Sequence, residues 1–166
     1  MDTTRTGALR RIADELGFDL GAELRIGGIY TPVVVHGDTA WVSGQVPRIG
    51  DSVVAVGRVP DQASLELAKQ GARVAALRTL VLLDRSAGGL DRVAQVLRLG
   101  VFVHSAPDFG GHSEIGDAAS EVLYAVLGSE AGRHARTSVG VAQLPKGAAV
   151  EVELVAALHP GAPHAR

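Results

Sequence analysis

The chain has 166 residues, 46% of them apolar and 20% charged, with a formal net charge of −2. That composition suits one globular domain with a substantial core and excludes a disordered polymer. There is no cysteine, which excludes a disulfide framework and thiolate chemistry. No basic run is present either, and this argues against nucleic acid as the main partner, because phosphate binding needs clustered Lys and Arg.

Residues 3–16 predict a short helix, with Leu9, Ile12, Ala13 and Leu16 on one face and Gly17 placed to end it. It either packs on the sheet or hangs as a loosely attached arm. The segment is charged and lacks a long apolar run, so neither a secretory signal nor a membrane span is expected, and a cytoplasmic location is. Residues 30–36 form the first convincing strand, with Pro32 marking an edge or a strand start. Gly37 and Asp38 make a turn, and residues 39–44 return as the second strand of a hairpin. Trp41 and Ser43 share one face of that strand. Ser43 lies beside Gly44 at the strand end, where its hydroxyl and the nearby backbone N–H groups are free for a ligand, although an ordinary turn serine looks the same. Residues 53–57 suggest a short third strand.

Residues 62–84 read as the longest helix, with Leu65, Ala68, Ala72, Ala75, Ala76, Leu80 and Leu83 on one broad apolar face. Small residues there, Gly71 included, allow a sheet to approach closely. Residues 93–104 read as a long strand stopped by Pro107. Residues 114–127 read as a second amphipathic helix ended by Gly128. Two strands follow, around a turn near Pro145, Lys146 and Gly147, and the Pro-, Gly- and Ala-rich residues 159–166 read as a disordered tail. The order predicts an α+β domain, with a mostly antiparallel sheet packed by two helices on one face. Two β-α-β halves of similar size suggest a ferredoxin-like pseudo-repeat, though no sequence repeat accompanies it. The other sheet face bears Trp41 and small apolar residues, and self-association is the natural way to cover it.

The last two strands carry unusual charge. Arg136 opens one, and Glu151 and Glu153 share a face of the other, because side chains alternate with period two. A solvated sheet face explains this as well as a binding site does. No phosphate loop or dinucleotide fingerprint is present. The six histidines are scattered without zinc-site spacing, so no metal is expected, and no Ser-His-Asp arrangement can be assigned.

Several blocks nevertheless occur together in a particular order: Tyr30, then residues 42–47 (VSGQVP), residues 90–93 (LDRV) leading to residues 101–103 and 108–109, and residues 135–136 running through Leu144 and Pro145 to residues 150–153 (VEVE). Through these, residues 29–158 resemble the YjgF or Rid (reactive intermediate deaminase) family, in its longer branch, with residues 1–28 as an N-terminal extension. The resemblance implies a chorismate-mutase-like fold, related to the ferredoxin-like one, and a homotrimer with ligand clefts between subunits. It also implies cofactor-independent hydrolysis of reactive enamines and imines, such as 2-aminoacrylate, to 2-keto acids and ammonia. By the same resemblance, Arg136 grips the substrate carboxylate, Glu151 orients or activates water, and Tyr30, Ser43 and Gly44 line the cleft.

Two positions depart from the family pattern. Its helix asparagine is replaced by Asp117, or by Ala119 if no gap is allowed, and its common cysteine after the arginine is Ser138. A carboxylate at 117 repels a substrate carboxylate, which leaves a non-catalytic carboxylate-binding or accessory protein as the alternative reading. A ribonuclease role fits worst with the net negative charge. If the last two strands form a regular hairpin, Arg136 and Glu151 lie about five residues apart along it, or ~17 Å. This predicts that Arg136 of one subunit and Glu151 of the next face a shared cleft.

Overall fold

A computed structural model describes residues 4–161. Helix α1 (Arg5–Glu15) is capped by Thr4, whose side chain accepts from the Gly7 N–H. It packs chiefly against α3 (His112–Ala131). Leu9, Ala13, Phe18 and Leu24 join the main hydrophobic core, and the Arg5 guanidinium donates to the carbonyls of Leu90 and Val93. The described part of the N-terminal extension is therefore built into the domain, and it does not hang free as an arm.

Strands β1 (Val33–His36) and β2 (Thr39–Gln45) form the expected hairpin around Gly37, whose φ of 58° needs glycine. The short strand expected at 53–57 lies elsewhere. β3 (Arg48–Ile49) and β4 (Ser52–Val53) pair only with each other, and Val56 makes an isolated bridge to Ala148. Helix α2 (Leu65–Ala87) begins at a Ser64 cap and ends on Gly88 in the left-handed conformation. Strand β5 (Val93–His104) follows, then α3, β6 (Ala135–Val141) and β7 (Val150–Leu158).

The sheet order is β1-β2-β7-β5-β6. This corrects the expected terminal hairpin: β6 and β7 flank β5 on opposite sides, β6 parallel to it and β7 antiparallel. The turn at residues 145–147 is where the sequence placed it, with Lys146 and Gly147 both at positive φ. The linker is simply long enough to carry the chain over the end of β5. Alternation along a strand identifies a strand and its faces, but carries no information about its neighbour.

The architecture is the expected α+β one, with helices on one side of a mixed sheet. Val150, Val152, Leu154, Ala156 and Leu158 of β7 are buried, and they alternate with Glu151, Glu153, Val155 and Ala157 on the other face. Among the described residues, that second face carries no helix. Trp41 is 45% exposed, Val34 51% and Val139 40%.

Close approach of α2 to the sheet depends on Gly71. A Cβ there would stand 2.7 Å from the Ala55 Cβ and 3.0 Å from a Val150 methyl. In an exposed helix, Gly→Ala stabilises by about 1 kcal/mol. Here Gly71→Ala is expected to do the reverse, since overpacking costs ~1–3 kcal/mol. Urea unfolding checks this, and a raised midpoint would mean that α2 is free to move off the sheet.

Candidate active site

The predicted site residues fall into two groups on opposite faces of the sheet. The first surrounds a cleft of about 460 Å³ lined by Tyr30, Ser43, Gly44 and Glu151, together with Arg25, Gln45, Arg48, Arg78 and Lys146. A bulge in β2 builds it. Val42 pairs with Leu154 and Gln45 with Val152, so β2 holds one residue more than β7 between these points. The bulge leaves Ser43 and Gly44 half-buried at the cleft, while the Gln45 side chain turns into the interior at 4% exposure. Gln45 Nε2 donates to the Ser43 and Gly44 carbonyls and to Ser43 Oγ, and its Oε1 accepts from Arg78. The serine is thus tied through a buried amide to a buried guanidinium.

Glu151 projects from β7 onto Gly44. A Cβ at residue 44 would lie 1.9 Å from Glu151 Oε1, so the carboxylate rests against bare backbone. Glu153 lies over Gly100 in the same way, with its Cγ 2.8 Å from where a Cβ would be. Among the described residues the Glu151 carboxylate has no hydrogen-bond or ion-pair partner. Burial, and then the neighbouring charge of Glu153, push its pKa above the ordinary glutamate value. A half-buried, unpaired acid of this kind is suited to proton transfer.

The second group sits between β6 and α3. Arg136 Nη1 lies 2.8 Å from Asp117 Oδ1 and donates to Ser120 Oγ at 2.9 Å, while Nη2 donates to the Ser113 carbonyl at 3.3 Å. The guanidinium lies against Gly116, where a Cβ would come within 2.9 Å of it. The His134 Nδ1–H donates to the Gly132 carbonyl at 2.6 Å. This leaves His134 Nε2 to accept from the Ser120 hydroxyl at 3.0 Å. Ser120 and His134 therefore hold Arg136 in place. Sequence reading missed both, because the contact that joins them spans fourteen residues, from α3 to the segment before β6. Asp117 is the helix position beside the arginine, whereas Ala119 is fully buried. Ser138 also faces α3, with its hydroxyl buried and unpartnered among the described residues.

Arg136 pairs with Leu99, which pairs with Leu154, whereas Glu151 pairs with Phe102. Within one chain, the arginine and the acid are therefore offset by three residues, ~10 Å, and by two strand spacings, also ~10 Å. They also point to opposite faces. The five-residue hairpin offset expected from sequence is replaced by this geometry, a shorter offset along the strands but with β5 between the two.

Sequence reading also missed the cations of the cleft. Arg25, Arg48, Arg78 and Lys146 come from separate segments, so no basic run betrays them. Elsewhere, Ser105 Oγ lies 3.0 Å from His112 Nε2, but no carboxylate holds the other ring nitrogen among the described residues. No group of three His, Asp or Glu side chains converges as a metal site among the described residues, and no helix there is long and apolar enough to cross a membrane.

Comparison with known proteins agrees with this fold. Residues 22–158 match the family described as Endoribonuclease L-PSP. The chain is 36% identical over 159 residues to the Trypanosoma cruzi protein TCP17, covering 96% of this chain and 99% of that one. The crystal structure of Atu1372 from Agrobacterium tumefaciens, a protein of unknown function, superposes with a TM-score of 0.82 at 30% identity, covering 93% of this chain and 94% of that one. A Shewanella oneidensis structure with a provisional endoribonuclease description gives 0.81 at 25% identity, covering 90% and 99%. The chain belongs to the endoribonuclease L-PSP family, which is also the family of YjgF.

Proposed function

We propose that the protein is a cofactor-independent deaminase that hydrolyses enamines or imines of 2-amino acids, of the 2-aminoacrylate type, to 2-keto acids and ammonia. The observation that carries this reading is the Glu151 carboxylate, unpaired, half-buried and raised in pKa beside Ser43 and Gly44. In the reaction the substrate enamine tautomerises to its imine. Water adds to the imine carbon as Glu151 takes a proton from it, and that proton passes to the departing nitrogen. The carbinolamine then collapses, so that one water is consumed and one ammonia released per keto acid formed. The substrate carboxylate is held by the planar fork of Arg136.

Because Arg136 and Glu151 lie on opposite faces of one chain, the complete site requires two subunits, and a homotrimer supplies it. Its interfaces cover the helix-free sheet face that bears Val34, Trp41 and Val139. A second reading, a binding protein without turnover, is favoured by the Asp117–Arg136 ion pair, which neutralises the arginine before any ligand arrives. Following keto acid release from enzymatically generated 2-aminoacrylate separates the two readings, since the binding protein gives none above the uncatalysed rate.

Three outcomes are expected. Arg136→Ala and Glu151→Ala are each inactive, and random co-assembly restores about a quarter of the clefts, those that combine the intact arginine of one subunit with the intact acid of the next. No recovery in verified mixed trimers would favour a site within one chain.

Glu151→Gln is expected to lose about 10²–10⁴-fold in rate, together with the acid limb of kcat/KM, which in the parent lies above the usual glutamate range. The folded-state pKa of Glu151 is raised, so the folded chain holds the extra proton. The stability this contributes is present at low pH and is lost as pH rises through that pKa. At pH 7 the Gln variant is therefore expected to melt above the parent, which calorimetry reads.

Gly44→Ala is expected to stay folded, because the clash is with the end of a flexible side chain, yet to lose activity as the carboxylate is displaced. Full activity in this variant would mean that the observed carboxylate position is not the reactive one.

A further inference from the structure

The cleft contains more positive charge than a monocarboxylate substrate needs. Arg78 is 4% exposed and lines the cleft. Its terminal nitrogens donate to the Arg48 and Arg25 carbonyls and to Gln45 Oε1, but its Nε is buried without a partner. Arg48 lines the same cleft, and its Nε is also buried and unpartnered. No carboxylate pairs with either guanidinium among the described residues. Asp51 is taken by Arg25 at 2.7 Å, and Glu151 forms no ion pair.

The two charges repel. Burial first, and then the charge of Arg48, lower the Arg78 pKa to about 10, which leaves it protonated at neutral pH. Burying a guanidinium without a counterion is costly, and placing a second beside it adds to that cost. If Arg78 served only to pin the loops through the Arg25 and Arg48 carbonyls, nothing would call for the Arg48 guanidinium in the cleft as well.

We infer that Arg48 and Arg78 form a binding site for a second anionic group on the substrate, so that the cleft takes imino or enamino acids carrying an acidic side chain. The imine chemistry rests on the proposed deaminase function; the anion site itself does not. In the assembled protein, Arg136 of the neighbouring subunit takes the carboxylate next to the reacting carbon, and the Arg48–Arg78 pair takes the distal anion. Glu151 lines the same cleft as that pair and has no ion-pair partner among the described residues. The fork of an arginine suits a carboxylate or a phosphoryl group equally.

The test measures binding of keto acid products, so it is independent of turnover. Calorimetric titration of the purified full chain compares 2-oxobutanoate, 2-oxoglutarate and phosphonopyruvate. The expected result is that at least one of the two dianions binds about tenfold or more tightly than 2-oxobutanoate, and the tighter of the two identifies the distal group. Arg48→Ala is expected to abolish the preference for that ligand over 2-oxobutanoate, and Arg136→Ala to weaken all three ligands alike. Arg78→Lys, which keeps the charge without the fork, is expected to lose most of the preference. Equal affinities for all three ligands in the parent, or a dianion preference untouched by Arg48→Ala in a protein of unchanged circular dichroism, would overturn the inference. A dianion preference without any deaminase activity would uphold the anion site and reject the proposed reaction alone.

Discussion

The alternation along β7 governs most of what this domain does. Its buried residues, Val150 to Leu158 taken every second position, meet α2 and close the core. The residues between them, Glu151 and Glu153, are thereby forced onto the face without helices. The strand lies between β2 and β5, so its register is set from both sides, and a slip of one residue would exchange acids for core. The position of Glu151 is therefore held by the same apolar contacts that hold the fold.

Much of this was legible in the sequence. The helices, the first hairpin and the length of β5 follow from periodicity and caps, and the shared face of Glu151 and Glu153 follows from period two. Pairing between β6 and β7 was misread because both strands alternate correctly and a turn stands between them. Only burial of β5 on both edges reveals that it separates them. Arg78 was invisible for a different reason: on a helix it reads as one more solvated cation, and its meaning depends on Gln45 and Arg48, which are distant in sequence. The bulge at Ser43 and Gly44 was half legible, since a glycine beside a serine marks a strand end but does not say that the chain resumes pairing at Gln45.

The two groups of polar side chains differ in how they are held. Arg136 is fixed by hydrogen bonds from several directions, with Ser120 and His134 behind it and Asp117 in front. Glu151 is fixed by exclusion, its carboxylate lying on Gly44 with no partner among the described residues. A clamp benefits from the first arrangement, because a fixed fork loses little freedom when it binds. A proton-transfer group benefits from the second, because any strong partner would hold it in one protonation state.

Glycine at residue 44 is not there for its backbone freedom, since its φ is not among the positive ones. It is there because the acid across the strand occupies the space a side chain would need. Residues 44 and 151 are therefore a coupled pair in the history of the sequence. While a glutamate lies over residue 44, any side chain placed there pushes its carboxylate aside. A lineage that gave up the acid would find 44 open to substitution at once, so that, across relatives, a side chain at 44 should mark the chains in which this acid has been lost.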